Sequence, residues 1–297
     1  VSRPEADYRD ELFLPGHLGC PGCGSALGLR FALEALGPRT VLVMGACCAD
    51  IVIGLFPKSN LRVPVLDSVF AAAAVTAAGV RASLDMQGQE GVTVMAWSGD
   101  GGTFDIGLQS LSGAAERNEN IIYICYDNEA YMNTGIQRSS ATPAGAWTTT
   151  TPDLKDRPKK DMVRIMAAHR IPYAATASVA FPEDFKAKLA KAREITGMRF
   201  IHLHSPCPPG WRIPSAKAVK TARLAVWTNL FPLYEVEGGR TYRITVPTRN
   251  KPLGDYLGLQ GRFQDLSPEQ IAALQASVDE DWERLNRRAA ESAGQEG

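Results

Sequence analysis

Two sets of side chains in this sequence are spaced for chemistry. The first is an Asp and an Asn. The apolar run 92–97 (VTVMAW) leads into Ser98-Gly99-Asp100-Gly101-Gly102, and the run 121–126 (IIYICY) ends in Asp127-Asn128, 28 residues after Asp100. One crossover helix and one strand use about that length, which places both side chains at the carboxyl ends of neighbouring parallel strands. A carboxylate and an amide oxygen facing one another suit octahedral Mg²⁺, which keeps phosphate oxygens in its shell, and the backbone carbonyl of Ala130 offers a third protein oxygen. The glycine-rich turn lets the backbone approach a phosphate, whose charge the following helix N-terminus favours. Taken singly, Asp100 reads as a helix cap and Asn128 as a turn residue. Their pairing points to a metal–diphosphate site.

The second set is cysteine. Cys20 and Cys23 form a CxxC, Cys47 and Cys48 are adjacent, and Cys125 and Cys207 stand alone. Six cysteines in 297 residues are too sparse for a disulfide framework, so the pattern reads as metal or redox chemistry. Four thiolates hold a cubane iron–sulfur cluster. Cys20, Cys23, one of the adjacent pair and Cys207 supply four, the last two positions lying just past strand ends on the edge that carries Asp100 and Asn128. A CxxC fits a structural zinc site as well as a cluster, and a thioredoxin-like pair less well, because no suitable strand precedes it. Spacing alone does not choose between Cys47 and Cys48. His17 either orients the CxxC loop or borders the site, whereas His169, His202 and His204 read as packing or surface residues. The basic stretch 155–170 reads as a solvated helix face rather than a contact for coenzyme A phosphates or a partner.

These residues need a scaffold that brings strand ends together. Strand-like runs at 40–44, 62–66, 92–97, 121–126, 173–177 and 199–204 alternate with helical stretches at 25–36, 70–84, 104–117, 159–169 and 182–195. Continuous apolar strands separated by helices predict an α/β fold, a doubly wound parallel sheet covered on both faces. The alternation fades after residue 226. That sets apart a domain over 1–226 and a small C-terminal extension over 227–297, read as an appendage or subunit-packing arm. The extension carries a hairpin pattern at Gly238-Gly239 and an amphipathic helix over 267–288 opened by Ser-Pro.

Composition narrows the function classes. With 32 basic and 32 acidic residues, no electrostatic footprint points to nucleic acid or an anionic membrane. The longest uncharged apolar run, 70–80, has eleven residues before Arg81, against about 20 for a spanning helix. The charged opening VSRPEADYRD does not make a signal peptide, so the expectation is a cytoplasmic protein.

GDGG, followed at this distance by YDNEAYMNTG, resembles the thiamine diphosphate motif. The chain is similar in particular to the β subunit of 2-oxoacid:ferredoxin oxidoreductases, the family of pyruvate:ferredoxin oxidoreductase. The resemblance runs from His17 to about Trp211 and takes in GHLGCPGCG, the Cys48 region, GIQRSSATPAGAWTTTTP and SPCPPGW. It implies the thiamine diphosphate-binding type of fold, with Mg²⁺ held by Asp100, Asn128 and the Ala130 carbonyl. Gly101, Gly102, Met132 and Asn133 then line the cofactor, with Asn133 as the catalytic residue near the thiazolium and the substrate carboxylate. Ala46, Cys47, Cys48 and Ala49 also touch it. The resemblance favours Cys48, nine residues before Pro57, over Cys47 as a cluster ligand, giving Cys20, Cys23, Cys48 and Cys207 around a [4Fe-4S] cluster. Cys47 and Cys125 are then small buried hydrophobes. The chain departs from some relatives in having Ser25, where they carry a Glu after CxxCG.

The implied activity is oxidative decarboxylation of a 2-oxo acid. The acyl group passes to coenzyme A, and electrons leave through the cluster to ferredoxin or a similar acceptor. Pyruvate is the expected substrate, with oxalate, branched-chain or aryl glyoxylates as alternatives. Thiamine enzymes also need a carboxylate on the aminopyrimidine, normally from a second α/β domain. One such domain fills most of this chain. The expectation is therefore half of an active site, completed by a larger α subunit and accompanied by γ and ferredoxin-like δ subunits. Two rival readings stand beside this one. A non-oxidative thiamine decarboxylase subunit would keep Asp100 and Asn128 without needing four cysteines. A non-catalytic electron-transfer or zinc-stabilised subunit would explain the cysteines without the Asp–Asn pairing.

Overall fold

The computed structural model describes residues 11–294. Within them eight strands form one sheet: β1 (Thr40–Gly45), β2 (Val65–Ser68), β3 (Thr93–Gly99), β4 (Ile122–Asp127), β5 (Tyr173–Ser178), β6 (Arg199–His204), β7 (Tyr234–Glu237) and β8 (Thr241–Ile244). Their order is β2-β1-β3-β4-β6-β5-β7-β8. The first six are parallel, and β7 and β8 add an antiparallel pair. β4, β5 and β6 are buried along their whole length, as continuous apolar strands between two helical layers must be.

One face of the sheet (Leu42, Met95, Trp97, Ile124) lies under α1 (Gly24–Leu36), α2 (Cys48–Ile53) and α6 (Pro182–Glu194). The other (Val43, Ala96, Tyr123, Cys125) lies under α3 (Ala73–Met86), α4 (Leu108–Glu116) and α5 (Met162–Ala168). The helix after β1 and the helix after β3 therefore leave on opposite faces. A sheet that switches direction in this way opens a crevice at the carboxyl ends of the two strands.

Three elements depart from the sequence expectation. The 62–66 strand begins only at Val65, because Pro64 has no N–H for the ladder. The 104–117 helix is divided: a π-helical turn (Gly101–Ile106) precedes α4. A Cβ on the intervening Gly107 would fall 2.1 Å from the Gly102 carbonyl oxygen. The 159–169 helix starts later, at Met162, where the Asp161 side chain accepts from the Arg164 N–H.

Beyond residue 204 come α7 (Pro208–Trp211), α8 (Ala218–Trp227), α9 (Gly254–Leu257) and α10 (Pro268–Ala293). The extension continues the main sheet, because β7 pairs with β5, and the hairpin at Gly238-Gly239 joins β7 to β8. Ser267 and Gln270 form a capping box at the start of α10, and Trp282 and Leu285 of that helix pack on the second face. No helix among the described residues is long and apolar enough to cross a membrane.

Candidate cofactor and metal site

β3 and β4 run in register, Gly99 beside Tyr126, so Asp100 and Asn128 emerge together at the crevice. Asp100 is buried, and Ser139 Oγ donates to its Oδ2 at 2.5 Å. The Asn128 amide lies 2.9 Å from both Asp100 Oδ1 and the Ala130 carbonyl oxygen. With its oxygen turned inward, three acceptors meet; turned the other way, its NH₂ donates to both. A separation near 2.9 Å is also the edge of an octahedron with metal–oxygen bonds of about 2.1 Å, so the spacing of the Asn128 oxygen from each of the other two suits a Mg²⁺-sized ion. Burial, reinforced by the charge of Asp127, pushes the Asp100 carboxyl well above the usual range.

The neighbouring carboxylates have cationic partners. Lys159 ion-pairs with Asp127 and, at 2.8 Å, with Glu129 Oε1. Asp127 Oδ2 also meets His202 Nε2 at 2.7 Å, and its Oδ1 accepts from the Glu129 N–H at 2.9 Å. Arg262 Nη2 reaches the other Glu129 oxygen at 2.5 Å. Burial opposes the charge on both acids, yet Lys159 with His202, and Lys159 with Arg262, hold Asp127 and Glu129 below the carboxylate range. Lys159, half-buried, thus pairs directly with Asp127 and Glu129, and buried Arg262 with Glu129, whereas no cation is bonded to Asp100 among the described residues. Glu129 itself has φ of +71°, a costly conformation for a non-glycine residue. The reversal it makes lets the Asn128 side chain and the Ala130 carbonyl converge.

The cysteines gather beside this site. The Gly24 N–H donates to the Pro206 carbonyl at 3.0 Å, and a Cβ on Gly24 would meet Pro206 at 2.6 Å. The CxxC loop therefore lies directly on the Cys207 loop. Burial pushes the Cys48 thiol up to about 12, with further contributions from Cys207, Cys47, Cys23 and Asp100. Burial likewise raises Cys207 to about 11, with Cys23 and Cys20 adding to it. Cys207, Cys47, Cys23 and Asp100 are thus all close enough to act on Cys48, and Cys20 and Cys23 on Cys207. Cys47 instead shares a hydrogen bond with Tyr126, and Cys125 is buried within the sheet. A tetrahedral zinc site needs sulfurs about 3.8 Å apart. No group of three or more His, Cys, Asp or Glu among the described residues forms such a single-ion site.

Residues 68–203, which include Asp100 and Asn128, match the family described as thiamine pyrophosphate enzyme, C-terminal TPP binding domain. The chain is 50% identical to ketoisovalerate oxidoreductase subunit VorB of Pyrococcus horikoshii over 94% of each chain. It is 51% identical to pyruvate synthase subunit PorB of Methanothermobacter thermautotrophicus, over 91% of this chain and 96% of that one. The chain belongs to the β-subunit family of 2-oxoacid:ferredoxin oxidoreductases. A solved 2-oxoglutarate:ferredoxin oxidoreductase from Magnetococcus marinus shares the fold, with a TM-score of 0.59 at 21% identity over 91% of this chain and 96% of that one. As a member of this family the chain is a thiamine diphosphate-dependent oxidoreductase subunit, and the two rival readings, non-oxidative and non-catalytic, fall away.

In this β subunit the remaining expected cofactor residues surround the same crevice. Gly101 and Gly102 open the π-helical turn, and a Cβ on Gly101 would strike the Tyr131 ring at 2.3 Å. Residues 46–49 span the end of β1 and the start of α2, with Ala46 exposed and Ala49 buried. Asn133 is exposed, and Met132 packs against Gly210 beside Cys207. Ser25 is buried in α1 with its hydroxyl unpartnered. His17 holds its own loop, its Nδ1 accepting from the Gly19 N–H at 3.1 Å.

The basic stretch is a correction. Lys155 and Lys159 point inward, Lys155 donating to the Thr142 carbonyl, because buried acceptors and carboxylates await them. His202, read as a packing or surface residue, is buried, and nothing along the chain signalled its bond to Asp127. Ser139, Glu129, Lys159, Trp211 and Arg262 had no role assigned from sequence. Ser139 lies inside GIQRSSATPAG and Glu129 directly after Asn128, so proximity to the motif was the available signal.

Proposed function

We propose that this chain holds the thiamine diphosphate, its Mg²⁺ and a proximal [4Fe-4S] cluster in a complex that oxidatively decarboxylates a 2-oxo acid and delivers the acyl group to coenzyme A. One observation carries the reading. Three oxygens, from the buried Asp100 carboxylate, Asn128 and Ala130, converge at the crevice, and the CxxC loop packs on the Cys207 loop. When bound, thiamine diphosphate supplies the electron sink for decarboxylation and the cluster supplies a one-electron acceptor. The chain's own residues place them. Asp100, Asn128 and the Ala130 carbonyl hold the ion; Cys20, Cys23, Cys48 and Cys207 hold the cluster. Gly101 and Gly102, at the start of the π-helical turn, lie beside the diphosphate, residues 46–49 form the opposite wall, and exposed Asn133 orients the substrate carboxylate.

The crevice needs a partner. Leu55, Phe56 and Val69 lie on its β2 side and are 75%, 94% and 72% exposed, an apolar group that a subunit interface covers. We assign that interface to a larger α subunit bringing the aminopyrimidine carboxylate, with γ and ferredoxin-like δ subunits and ferredoxin beyond it, in the cytoplasm. The domain over 1–226 holds the cofactors, and the extension over 227–297 is a packing arm for the assembly. The relatives at 50% and 51% identity are named for ketoisovalerate and pyruvate, so these two acids are the substrates to test, pyruvate first. The test is iron and sulfide analysis of the purified complex, with visible absorbance followed as each 2-oxo acid is added with coenzyme A and a viologen dye. Bleaching with dye reduction is expected. A complex whose β subunit holds no iron refutes the cluster assignment, and no consumption of either acid with no appearance of reduced-viologen colour refutes the activity.

A further inference from the structure

Arg262 stands far from the cofactor motif in sequence, yet it closes the charge cluster behind the metal ligands. It is 2% exposed. Its Nη2 bonds Glu129 Oε2 at 2.5 Å and the Tyr256 hydroxyl at 3.3 Å, and its Nε bonds Gln260 Oε1 at 3.0 Å. Its carbonyl accepts from the Trp147 N–H at 2.8 Å, fixing its backbone to the long loop after β4. The guanidinium lies 4.2 Å from the centre of the Trp211 ring. The indole N–H of Trp211 donates to the Asn128 carbonyl at 2.8 Å, and the Trp211 backbone N–H donates to the Cys207 carbonyl at 2.8 Å.

We propose that Arg262 is a positioning residue for the metal site, a clamp through which the C-terminal extension sets the aim of Asn128 and Ala130. Glu129 sits between those two residues in a left-handed conformation, and its carboxylate is fixed from both sides, by Lys159 and by Arg262. The Asn128 carbonyl is fixed separately by Trp211, over which the same guanidinium lies. Arg262 thus restrains the ligand loop at two consecutive residues. A planar, forked cation is needed, because one group must bond Glu129, Gln260 and Tyr256 while lying over an indole ring 4.2 Å away. Partners behind metal ligands are worth about 10- to 100-fold in affinity when removed.

The inference rests on the proposed metal site, and its test separates the two. Mn²⁺ is titrated into the purified complex with saturating thiamine diphosphate and followed by electron paramagnetic resonance, alongside the melting temperature. Arg262→Met is expected to weaken Mn²⁺ by about 10- to 100-fold. Arg262→Lys should recover part of the loss, since it restores the charge on Glu129 but not the fork. Trp211→Phe keeps a ring under the guanidinium and removes only the bond to Asn128, so a weakening of roughly 3- to 10-fold is expected. It serves as the deciding variant if Arg262→Met does not assemble. Wild-type Mn²⁺ affinity in Arg262→Met, or in Trp211→Phe where Arg262→Met fails to assemble, overturns the clamp alone. A wild-type complex that takes up no Mn²⁺ with thiamine diphosphate overturns the metal site and the clamp with it.

Discussion

Replacing Asp100 by Asn should make the cofactor-free protein more stable and the cofactor-loaded protein less so. The substitution is nearly isosteric. An Asn at 100 can still accept from Ser139 Oγ, and its nitrogen can face the oxygens now 2.9 Å apart. What it removes is a buried charge with no cation of its own. Burial raises the folded-state carboxyl above its unfolded value. This group's contribution therefore favours folding at low pH and is lost as pH climbs from the ordinary carboxylate range through the raised folded value. Near pH 7 without metal, the Asn variant should gain on the order of 1–3 kcal/mol, the scale of relieving one uncompensated buried ion. With Mg²⁺ and thiamine diphosphate at about 100 times the wild-type Kd, wild type gains about 2.7 kcal/mol. Removing one partner of a buried ion pair costs about 3–5 kcal/mol, or at least roughly 100-fold in affinity, which leaves the variant a gain of about 0.4 kcal/mol or less. Melting curves of the complex from pH 5 to about 8, in chelator and in cofactor, test both signs. An equal cofactor-induced rise in variant and wild type refutes the metal-ligand role. A less stable metal-free variant refutes the charge argument.

Three further outcomes follow from other parts of the site. Changing Cys20, Cys23, Cys48 or Cys207 to Ser should deplete or convert the cluster, while Cys47→Ser and Cys125→Ser stay near wild type in iron content; iron lost from Cys47→Ser but not from Cys48→Ser would reverse the assignment of the adjacent pair. The isolated chain should show no 2-oxo acid oxidation after reconstitution with iron, sulfide, Mg²⁺ and thiamine diphosphate, and Phe56→Asp should weaken assembly with the larger subunit, as read by size-exclusion chromatography; turnover by the isolated chain comparable to the complex would end the half-site argument. Lys159→Met should cost about 3–5 kcal/mol in thermal or denaturant unfolding, because it strands Asp127 and Glu129 together in the interior; a change under about 1 kcal/mol would show that His202 and Arg262 suffice.

The parts of this molecule legible in the sequence are those whose signal is local. β1 and β4 announce themselves as apolar runs, and the Ser-Pro at 267–268 marks the start of α10. Asp100 and Asn128 are legible because each follows a strand directly, so their meeting requires only that the strands be neighbours. A buried charge is different, since its meaning lies in a partner. Lys159 is 30 residues from Glu129, His202 is 75 from Asp127 and Arg262 is 133 from Glu129. Along the chain Lys159 is one of several lysines and arginines in a polar stretch, with the pattern of a solvated face. Only the folded charge balance distinguishes it from Lys160, which stays half-exposed against Asp105. Cys47 and Cys48 are likewise inseparable by spacing. Their difference is that α2 starts at Cys48, which turns one thiol toward Cys207 and leaves the other to Tyr126.

The direction in which the site is incomplete follows from the order of the strands. The crevice lies between β1 and β3. On the β4 side it is walled by the loop after Asp127, which is tied down repeatedly: Ser139 to Asp100, Ser140 and Tyr131 to Asp105, Thr142 to the Glu129 carbonyl. Arg262 adds a tie from the extension. On the β2 side, among the described residues, there is only one short edge strand, and beyond β1 the chain offers exposed Ala46, Leu55, Phe56 and Val69. A cofactor held by Asp100 and Asn128 is thus enclosed by polar, mutually bonded groups on one flank and meets unsatisfied apolar surface on the other. Water would fill that flank in the isolated chain, which raises the local dielectric and weakens every interaction the charge cluster makes with a bound diphosphate. A partner that covers the apolar group excludes that water at the same time as it supplies the missing carboxylate. Assembly and cofactor affinity should therefore rise together, and Phe56→Asp should weaken thiamine diphosphate binding even though residue 56 lies outside the set of side chains that hold it.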